Sequence, residues 1–252
     1  MIKDMPKRFA LLLALTFAPS GGVAPAFAAP PAVAESDHVA ITTSAGTITL
    51  DLDAERAPLT TANFLKYVDQ KRLDGTSFYR AMHLEWGDPP NGLIQGGTGN
   101  DPKRVLQAVA HEPTRQTGIL HKRGTISMAR FAPGTATGDF SILVSDQPGL
   151  DAQPDATDPD ARAGFAAFGK VVSGMDVVDR IWAMPRSSTK GEGVMKGQML
   201  DPTVKIVSVR RVPALETRLE ATPSGALSAP NSPAPVAPAA AASSTAQAPA
   251  PR

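Results

Sequence analysis

Eight short segments rich in β-branched and aromatic residues run through the middle of this chain, and they restrict its fold more than any other feature. Clusters of Gly, Pro and Asp separate them, as turns separate strands. The segments are 39–43, 47–52, 77–80, 93–95, 124–129, 140–144, 166–172 and 204–209. Segments 57–68 and 175–182 instead have the pattern of helices. Because closure protects edge strands, this order predicts a mainly β domain, a closed antiparallel barrel of about eight strands with two flanking helices.

The two ends of the chain differ in composition from the part between them. Residues 1–28 combine a basic start, an apolar run over 9–17 and the small residues around Ala28, which predicts a signal peptide cleaved there. That run is too short for a membrane-spanning helix, which needs about 20 residues. Residues 29–37 resemble a linker, and the Pro- and Ala-rich residues 221–252 predict a disordered tail. One domain at 38–212 remains, in a periplasmic or secreted protein without a membrane span after signal removal.

Charge and composition exclude several classes of function. Cleavage after Ala28 removes Lys3, Lys7, Arg8 and Asp4, which changes the net charge from +1 to about −1. A nearly neutral chain without a cluster of Lys or Arg lacks the concentrated positive charge that binding to nucleic acid or to an anionic membrane surface requires. The chain has no cysteine, which excludes disulfides, a thiol nucleophile and a thiolate metal site.

Motifs for metal, phosphate or serine chemistry are missing from the sequence. The four histidines show no metal-binding spacing, so neither a metal nor another cofactor is expected. The glycine-rich residues 96–100 match neither of the common phosphate-binding spacings. There is no G-x-S-x-G turn, and a serine hydrolase therefore has no support.

Four short motifs nevertheless occur in order along the predicted strands. They are Phe78-Tyr79-Arg80, Leu93-Ile94-Gln95-Gly96-Gly97, Gly124-Thr125-Ile126-Ser127-Met128-Ala129 and Phe168-Gly169-Lys170-Val171. Together they resemble the F-H-R, F-M-x-Q-G-G, G-x-L-S-M-A and F-G-K-V motifs of the cyclophilin family, over roughly residues 38–210. The resemblance implies a cyclophilin-like barrel that acts as a cofactor-free, monomeric peptidyl-prolyl cis-trans isomerase on proline-containing polypeptides.

Arg80 and Gln95 are the catalytic residues that this resemblance implies. The barrier to rotation about an X-Pro bond, about 18–20 kcal/mol, arises from amide resonance. The prolyl nitrogen gains a lone pair as the bond twists, so a fixed donor aimed at it stabilises the twisted state more than the planar state. Arg80 matches the arginine of F-H-R and is the expected donor. Gln95 matches the glutamine that bonds the substrate backbone and helps to hold the arginine. Either side chain could instead simply face solvent.

The resemblance also implies a pocket for the prolyl ring, and parts of that pocket depart from the family's pattern. The pocket residues are Leu93, Met128, Ala129, Asp139, Ser141, Leu150 and Phe165. Among them, Asp139 replaces a glutamine, Ser141 replaces a phenylalanine, and Phe165 stands where histidine is frequent. For Leu93 and Met128, ordinary packing in the core is the alternative interpretation.

Two of these departures raise specific expectations. Trp86, in an insertion over residues 82–91, and Phe165 could refill the space left by Ser141 and by Gly92, which replaces another phenylalanine. The insertion could instead only lengthen a rim loop. Asp139 is expected close to the Arg80 guanidinium, where it would either orient the donors or compete for them. The altered pocket leaves a second function open, namely a chaperone or binding module for proline-containing segments with weak or no catalysis.

Overall fold

The computed structural model describes residues 37–84, 87 and 91–213. The predicted signal peptide, the linker up to residue 36, Trp86 and the tail at 221–252 lie outside these residues.

Nine strands of the described residues form one antiparallel sheet. They are β1 (His38–Thr43), β2 (Gly46–Leu52), β3 (Ser77–Leu84), β4 (Asn91–Gly97), β5 (Thr125–Met128), β6 (Phe140–Leu143), β7 (Ala167–Ser173), β8 (Arg186–Ser187) and β9 (Met199–Arg211). Eight of them pair in the order β1-β2-β7-β5-β6-β4-β3-β9, and β9 also pairs with β1. This last pairing closes the sheet, while β8 pairs with β9 outside the ring. The predicted closed antiparallel barrel is confirmed.

Four helices occur in the described part of the chain. They are α1 (Pro58–Asp69), α2 (Thr114–Thr117), α3 (Pro159–Ala163) and α4 (Met175–Trp182), and two 3₁₀ turns lie at Pro148–Leu150 and Gly193–Met195. α1 and α4 are the two predicted helices. α2 and α3 were not predicted, because four or five residues are too few to show a helical period. Within the described ranges, no helix combines the length and apolar character needed to cross a bilayer.

Alternating side chains fill the inside of the barrel. Along β1, for example, Val39 and Ile41 are fully buried and alternate with partly exposed neighbours. An aromatic cluster lies at the centre, where the Phe140 ring centroid is 5.4 Å from that of Phe64 and 5.7 Å from that of Phe78. Since Phe64 belongs to α1, this helix is anchored in the core. The packed interior fixes β3, β4 and β6, which carry the site described next.

Candidate active site

A row of side chains across the outside of the barrel organises the candidate site. Arg80 on β3 is opposite Gln95 on β4, Gln95 is opposite Ser141 on β6, and Ser141 is opposite Ser127 on β5. On the other side of Arg80, the register places Met199 of β9. Directly opposed residues share one face of a sheet. The residues just before Gln95, Ser127 and Ser141 are fully buried apolar residues, so this row faces outward.

A β-bulge turns Arg80 to this outer face. Phe78 is fully buried, and strict alternation would point residue 80 into the core as well. The pairing moves from Phe78 opposite Gly96 to Arg80 opposite Gln95, which makes Tyr79 an extra residue in β3. One extra residue reverses the side on which the following side chain points. The bulge therefore places the guanidinium outside the core.

Two glutamines fix the Arg80 guanidinium. Nη1 of Arg80 donates to Oε1 of Gln95 at 2.8 Å, and Nε donates to Oε1 of Gln198 at 2.9 Å. Gln95 in turn donates from Nε2 to the hydroxyl of Tyr79 at 2.9 Å. Burial lowers the pKa of Arg80, but an arginine side chain stays charged in proteins. Of its five N–H groups, three donate to none of the described residues and remain available to a ligand.

A cavity of about 790 Å³ opens beside this row. It brings together all the described residues that the sequence assigns to the site, namely Arg80, Leu93, Gln95, Met128, Ala129, Asp139, Ser141, Leu150 and Phe165. Leu93 and Met128 line the cavity while also being buried, so both interpretations of these two residues apply. The volume lies within the range of ligand-binding clefts, which is about 300–1,000 Å³.

Phe165 forms part of the apolar wall, and Arg130 holds it there. The Cζ atom of Arg130 lies 4.5 Å from the Phe165 ring centroid, a cation–π distance. Nη1 of Arg130 donates to Oδ1 of Asp160 at 2.8 Å, and Nη2 donates to the Gly164 carbonyl at 2.7 Å. The amide of Phe165 donates to the Leu150 carbonyl at 2.9 Å, which joins two of the wall residues. Phe165 and Ser141 line the same cavity, and the refilling of the space at Ser141 by Phe165 stays a prediction.

Trp182 of α4 occupies the space next to Gly92. A Cβ atom on residue 92 would lie 2.1 Å from the Met82 carbonyl oxygen and 2.4 Å from Nε1 of Trp182. Nε1 of Trp182 donates to that same carbonyl at 2.8 Å, and the indole stacks on the His83 ring at 3.9 Å between centroids. Residue 92 must therefore be small here. The expectation for Trp86 concerns a residue outside the described part of the chain.

Asp139 anchors a turn and is not hydrogen-bonded to Arg80. Its Oδ1 accepts from the Gly99 amide at 2.8 Å and from the Thr98 hydroxyl at 3.3 Å. Burial raises the pKa of Asp139, and these hydrogen bonds oppose the rise. The turn contains Asn100 in the left-handed region, at φ 58°. Asp139 lines the cavity, but the observed hydrogen bonds of Arg80 go to glutamines, and the expected effect of Asp139 on the guanidinium stays a prediction.

A hydrogen-bonded chain behind the cavity wall escaped the sequence analysis. Nδ1 of His121 is 2.7 Å from Oδ1 of Asp151, and Nε2 is 2.8 Å from the Ser127 hydroxyl. Burial lowers the pKa of His121, and Asp151 opposes that shift, which favours a neutral ring that donates to Asp151 and accepts from Ser127. Serine hydrolases use the same residue types. Here, however, Ser127 is 2% exposed in the middle of a strand. The hydrogen bonds among Asp151, His121 and Ser127 therefore support the cavity wall.

Several residues of the site carry no signal in the sequence. Arg130, Gln198, Met199 and Val194 line the cavity or hold its residues, and none of them belongs to a motif quoted above. Gln198 lies 118 positions from Arg80. The pairing of β9 with β3 brings Gln198 and Met199 beside Arg80.

Comparisons with known proteins agree on one family. The family model for cyclophilin type peptidyl-prolyl cis-trans isomerases (CLD) matches residues 38–211. The chain is similar to peptidyl-prolyl cis-trans isomerase A of Dickeya dadantii, with 40% identity over 160 residues that cover 62% of this chain and 75% of the relative. It is also similar to a peptidyl-prolyl cis-trans isomerase of Acinetobacter baylyi, with 38% identity over 176 residues that cover 68% and 84% of the two chains.

The fold is likewise similar to a solved structure. A cyclophilin-type peptidyl-prolyl cis-trans isomerase of Cryptosporidium parvum, crystallised in the presence of the dipeptide Ala-Pro, gives a TM-score of 0.54 at 20% identity. The match covers 69% of this chain and 98% of that chain.

Proposed function

Because this chain belongs to the cyclophilin-type peptidyl-prolyl cis-trans isomerase family, we propose that Arg80 is the residue with which it catalyses rotation about X-Pro bonds, and that its substrates are exported polypeptides. The family match and the relatives named as isomerases make the chain an enzyme of this class. The observation that carries the role of Arg80 is its fixed guanidinium, which keeps three N–H groups beside the cavity.

Arg80 acts on the prolyl nitrogen as the bond twists. No covalent step is needed, because the barrier arises from amide resonance, which the twist itself removes. The nitrogen becomes pyramidal and its lone pair becomes an acceptor, so a donor already held in place stabilises the twisted state with little reorganisation. A hydrogen bond from a charged donor contributes about 1.5–3 kcal/mol, which corresponds to a rate effect of about ten- to a hundredfold.

The other cavity residues bind the segment around the proline. Leu93, Met128, Leu150 and Phe165 offer an apolar surface to the prolyl ring. Nε2 of Gln95 uses one N–H group for Tyr79, and the second is available for a substrate carbonyl. The dipeptide present with the Cryptosporidium parvum protein contains the same prolyl ring, which supports a proline-containing substrate for this chain.

Export rests on the composition of residues 1–28, with its basic start, apolar run and small residues before a cleavage position. Mass spectrometry of the protein purified from its native host tests this proposal. We expect a mature chain that begins at residue 29. A chain that retains its first residues and stays in the cytoplasm would contradict the proposed substrates without affecting the assignment of Arg80.

A protease-coupled assay with a proline-containing peptide tests the role of Arg80, because the uncatalysed isomerisation takes tens of seconds and is easily resolved. We expect Arg80→Ala to lower kcat/KM by about ten- to a hundredfold. Arg115→Ala, which removes an exposed arginine from α2, is the matched control and should leave kcat/KM unchanged. Unchanged activity in Arg80→Ala rules out the mechanism. A native protein that binds the peptide without accelerating isomerisation would instead support the binding-module alternative.

A further inference from the structure

The row of site residues ends at β9 in a small, partly exposed apolar surface. This surface, called here the Val194 turn, consists of Val194 and Met195 in the 3₁₀ turn and of Met199 at the start of β9. All three residues line the cavity that Arg80 also lines. Val194 is 83% exposed, more than any other large apolar residue in the described ranges. An apolar side chain left in water at the edge of a binding cavity favours association with another apolar group.

Gln198 ties the Val194 turn to the Arg80 guanidinium. Its Oε1 accepts from Nε of Arg80 at 2.9 Å, and its Nε2 donates to the Val194 carbonyl at 2.8 Å. Its backbone is held on both sides as well, since its amide donates to the Met195 carbonyl at 3.0 Å and its carbonyl accepts from the Ala81 amide at 2.9 Å. A single side chain therefore connects the exposed turn with the proposed catalytic donor.

We propose that the Val194 turn is a subsite for an apolar substrate residue next to the proline, and that Gln198 is a positioning residue that couples this subsite to Arg80. This inference rests on the proposed function. The occupant is the substrate chain itself, because the turn continues the wall of the cavity and its Met199 lies directly opposite Arg80. A polypeptide with its proline beside Arg80 places a neighbouring side chain over β9.

The first experiment measures substrate preference in two peptide series, in which the residue before or after the proline is either leucine or glycine. We expect the native protein to have a lower KM for leucine than for glycine in one series, by about fivefold for a partly buried leucine. Val194→Asp should remove this preference, because packing leucine against a carboxylate would cost the carboxylate its hydration. Val207→Asp, at an exposed valine of β9 outside the site, is the matched control and should keep it.

The second experiment separates the two side-chain hydrogen bonds of Gln198, to Arg80 and to the Val194 carbonyl. In Gln198→Ala both are lost, and we expect kcat to fall by about tenfold, the effect of one hydrogen bond to a charged group, while the melting temperature stays near that of the native protein. In Gln198→Glu the carboxylate still accepts from Arg80 but cannot donate to the Val194 carbonyl. This variant should keep most of kcat and lose the preference for leucine.

The outcomes distinguish the inference from the proposed function. Native activity that depends on Arg80, combined with the same leucine preference in Val194→Asp and the native protein, overturns the subsite alone. A kcat of Gln198→Ala equal to the native value overturns the positioning role. A concentration-dependent dimer in sedimentation that Val194→Asp dissociates would assign the turn to a second copy of this chain and would also overturn the inference.

Discussion

Asp139 is a buried carboxylate, and this makes its contribution to stability depend on pH. Burial raises its pKa above the ordinary value, so the folded protein holds the proton more tightly than the unfolded chain. The folded state is thus favoured when Asp139 is protonated. This part of the stability is lost as pH rises from about 4, the unfolded pKa, through the raised folded pKa.

We therefore expect Asp139→Asn to retain more of its free energy of unfolding than the native protein as pH rises across this interval. Urea unfolding between about pH 4 and pH 7 measures the difference. Asp146→Asn is a control of opposite sign, because the Arg123 amide and Lys122 lower the pKa of this exposed carboxyl. Its stabilising contribution is complete above about pH 4, the unfolded pKa, and is lost only as pH falls through the lowered folded pKa, so the Asp146 contribution should stay constant between about pH 4 and pH 7. Parallel pH profiles for Asp139→Asn and the native protein would contradict the prediction.

Ser141 stands where the motif of the family has a phenylalanine. It lies between Gln95 and Ser127 in the outward row, and it lines the cavity. We expect Ser141→Phe to lower KM for proline-containing peptides by about three- to tenfold, since an added ring contributes apolar contact area. The kcat should change little, because Arg80 keeps its two glutamines. Ser173→Phe at an exposed position of β7 is the control, and a higher KM in Ser141→Phe would mean that the new ring fills the prolyl site.

At the scale of the elements, the N-terminal cap of α1 comes from a residue far away in the sequence. The helix has no side-chain cap of its own at Ala57. Glu112, which is 1% exposed, accepts from the Leu59 amide at 3.2 Å and from the Thr60 amide at 2.7 Å. A carboxylate at this position also interacts favourably with the positive end of the helix dipole. Because Phe64 of α1 packs inside the barrel, the cap supports the core as well as the helix.

We expect Glu112→Ala to lower the free energy of unfolding by about 1.5–3 kcal/mol, the range for hydrogen bonds to charged groups. Glu112→Gln keeps an acceptor and should lose less. Glu55→Ala, at an exposed glutamate, should stay within about 0.5 kcal/mol of the native value. Urea unfolding provides these values, and equal stability of Glu112→Ala and Glu55→Ala would show that another group caps α1.

The elements also show what the sequence could and could not predict. Alternation identified β1 and β2 almost to the residue, because one face of each is buried. β3 and β4 are longer than predicted, since the insertion extends both strands as far as Leu84 and Asn91 instead of forming only a loop. The motifs pointed to Arg80 and Gln95, which both line the cavity. Gln198 and Arg130 were not predictable, because their partners are fixed by tertiary contacts that no local pattern encodes.

At the scale of the whole molecule, the two ends of the domain hold the barrel closed. β1 pairs with β9 from Val39 opposite Arg211 to Thr43 opposite Ile206. Val204, Ile206 and Val209 of β9 are buried in the core. The domain is therefore complete only when the chain reaches the end of β9, which agrees with the match of the family model up to residue 211.

This closure leads to a prediction about truncation. A chain that ends at residue 220 should unfold cooperatively at the native temperature and elute as a monomer, because the Pro- and Ala-rich residues 221–252 have few large apolar side chains to bury. A chain that ends at residue 203 should lose cooperative unfolding and aggregate. It lacks the buried side chains of Val204, Ile206 and Val209, and it leaves β1 and the start of β3 without their partners in β9. Circular dichroism melting and size-exclusion chromatography test both chains. Loss of cooperativity in the longer chain would mean that the tail stabilises the barrel, and a stable shorter chain would mean that the sheet does not need β9 to close.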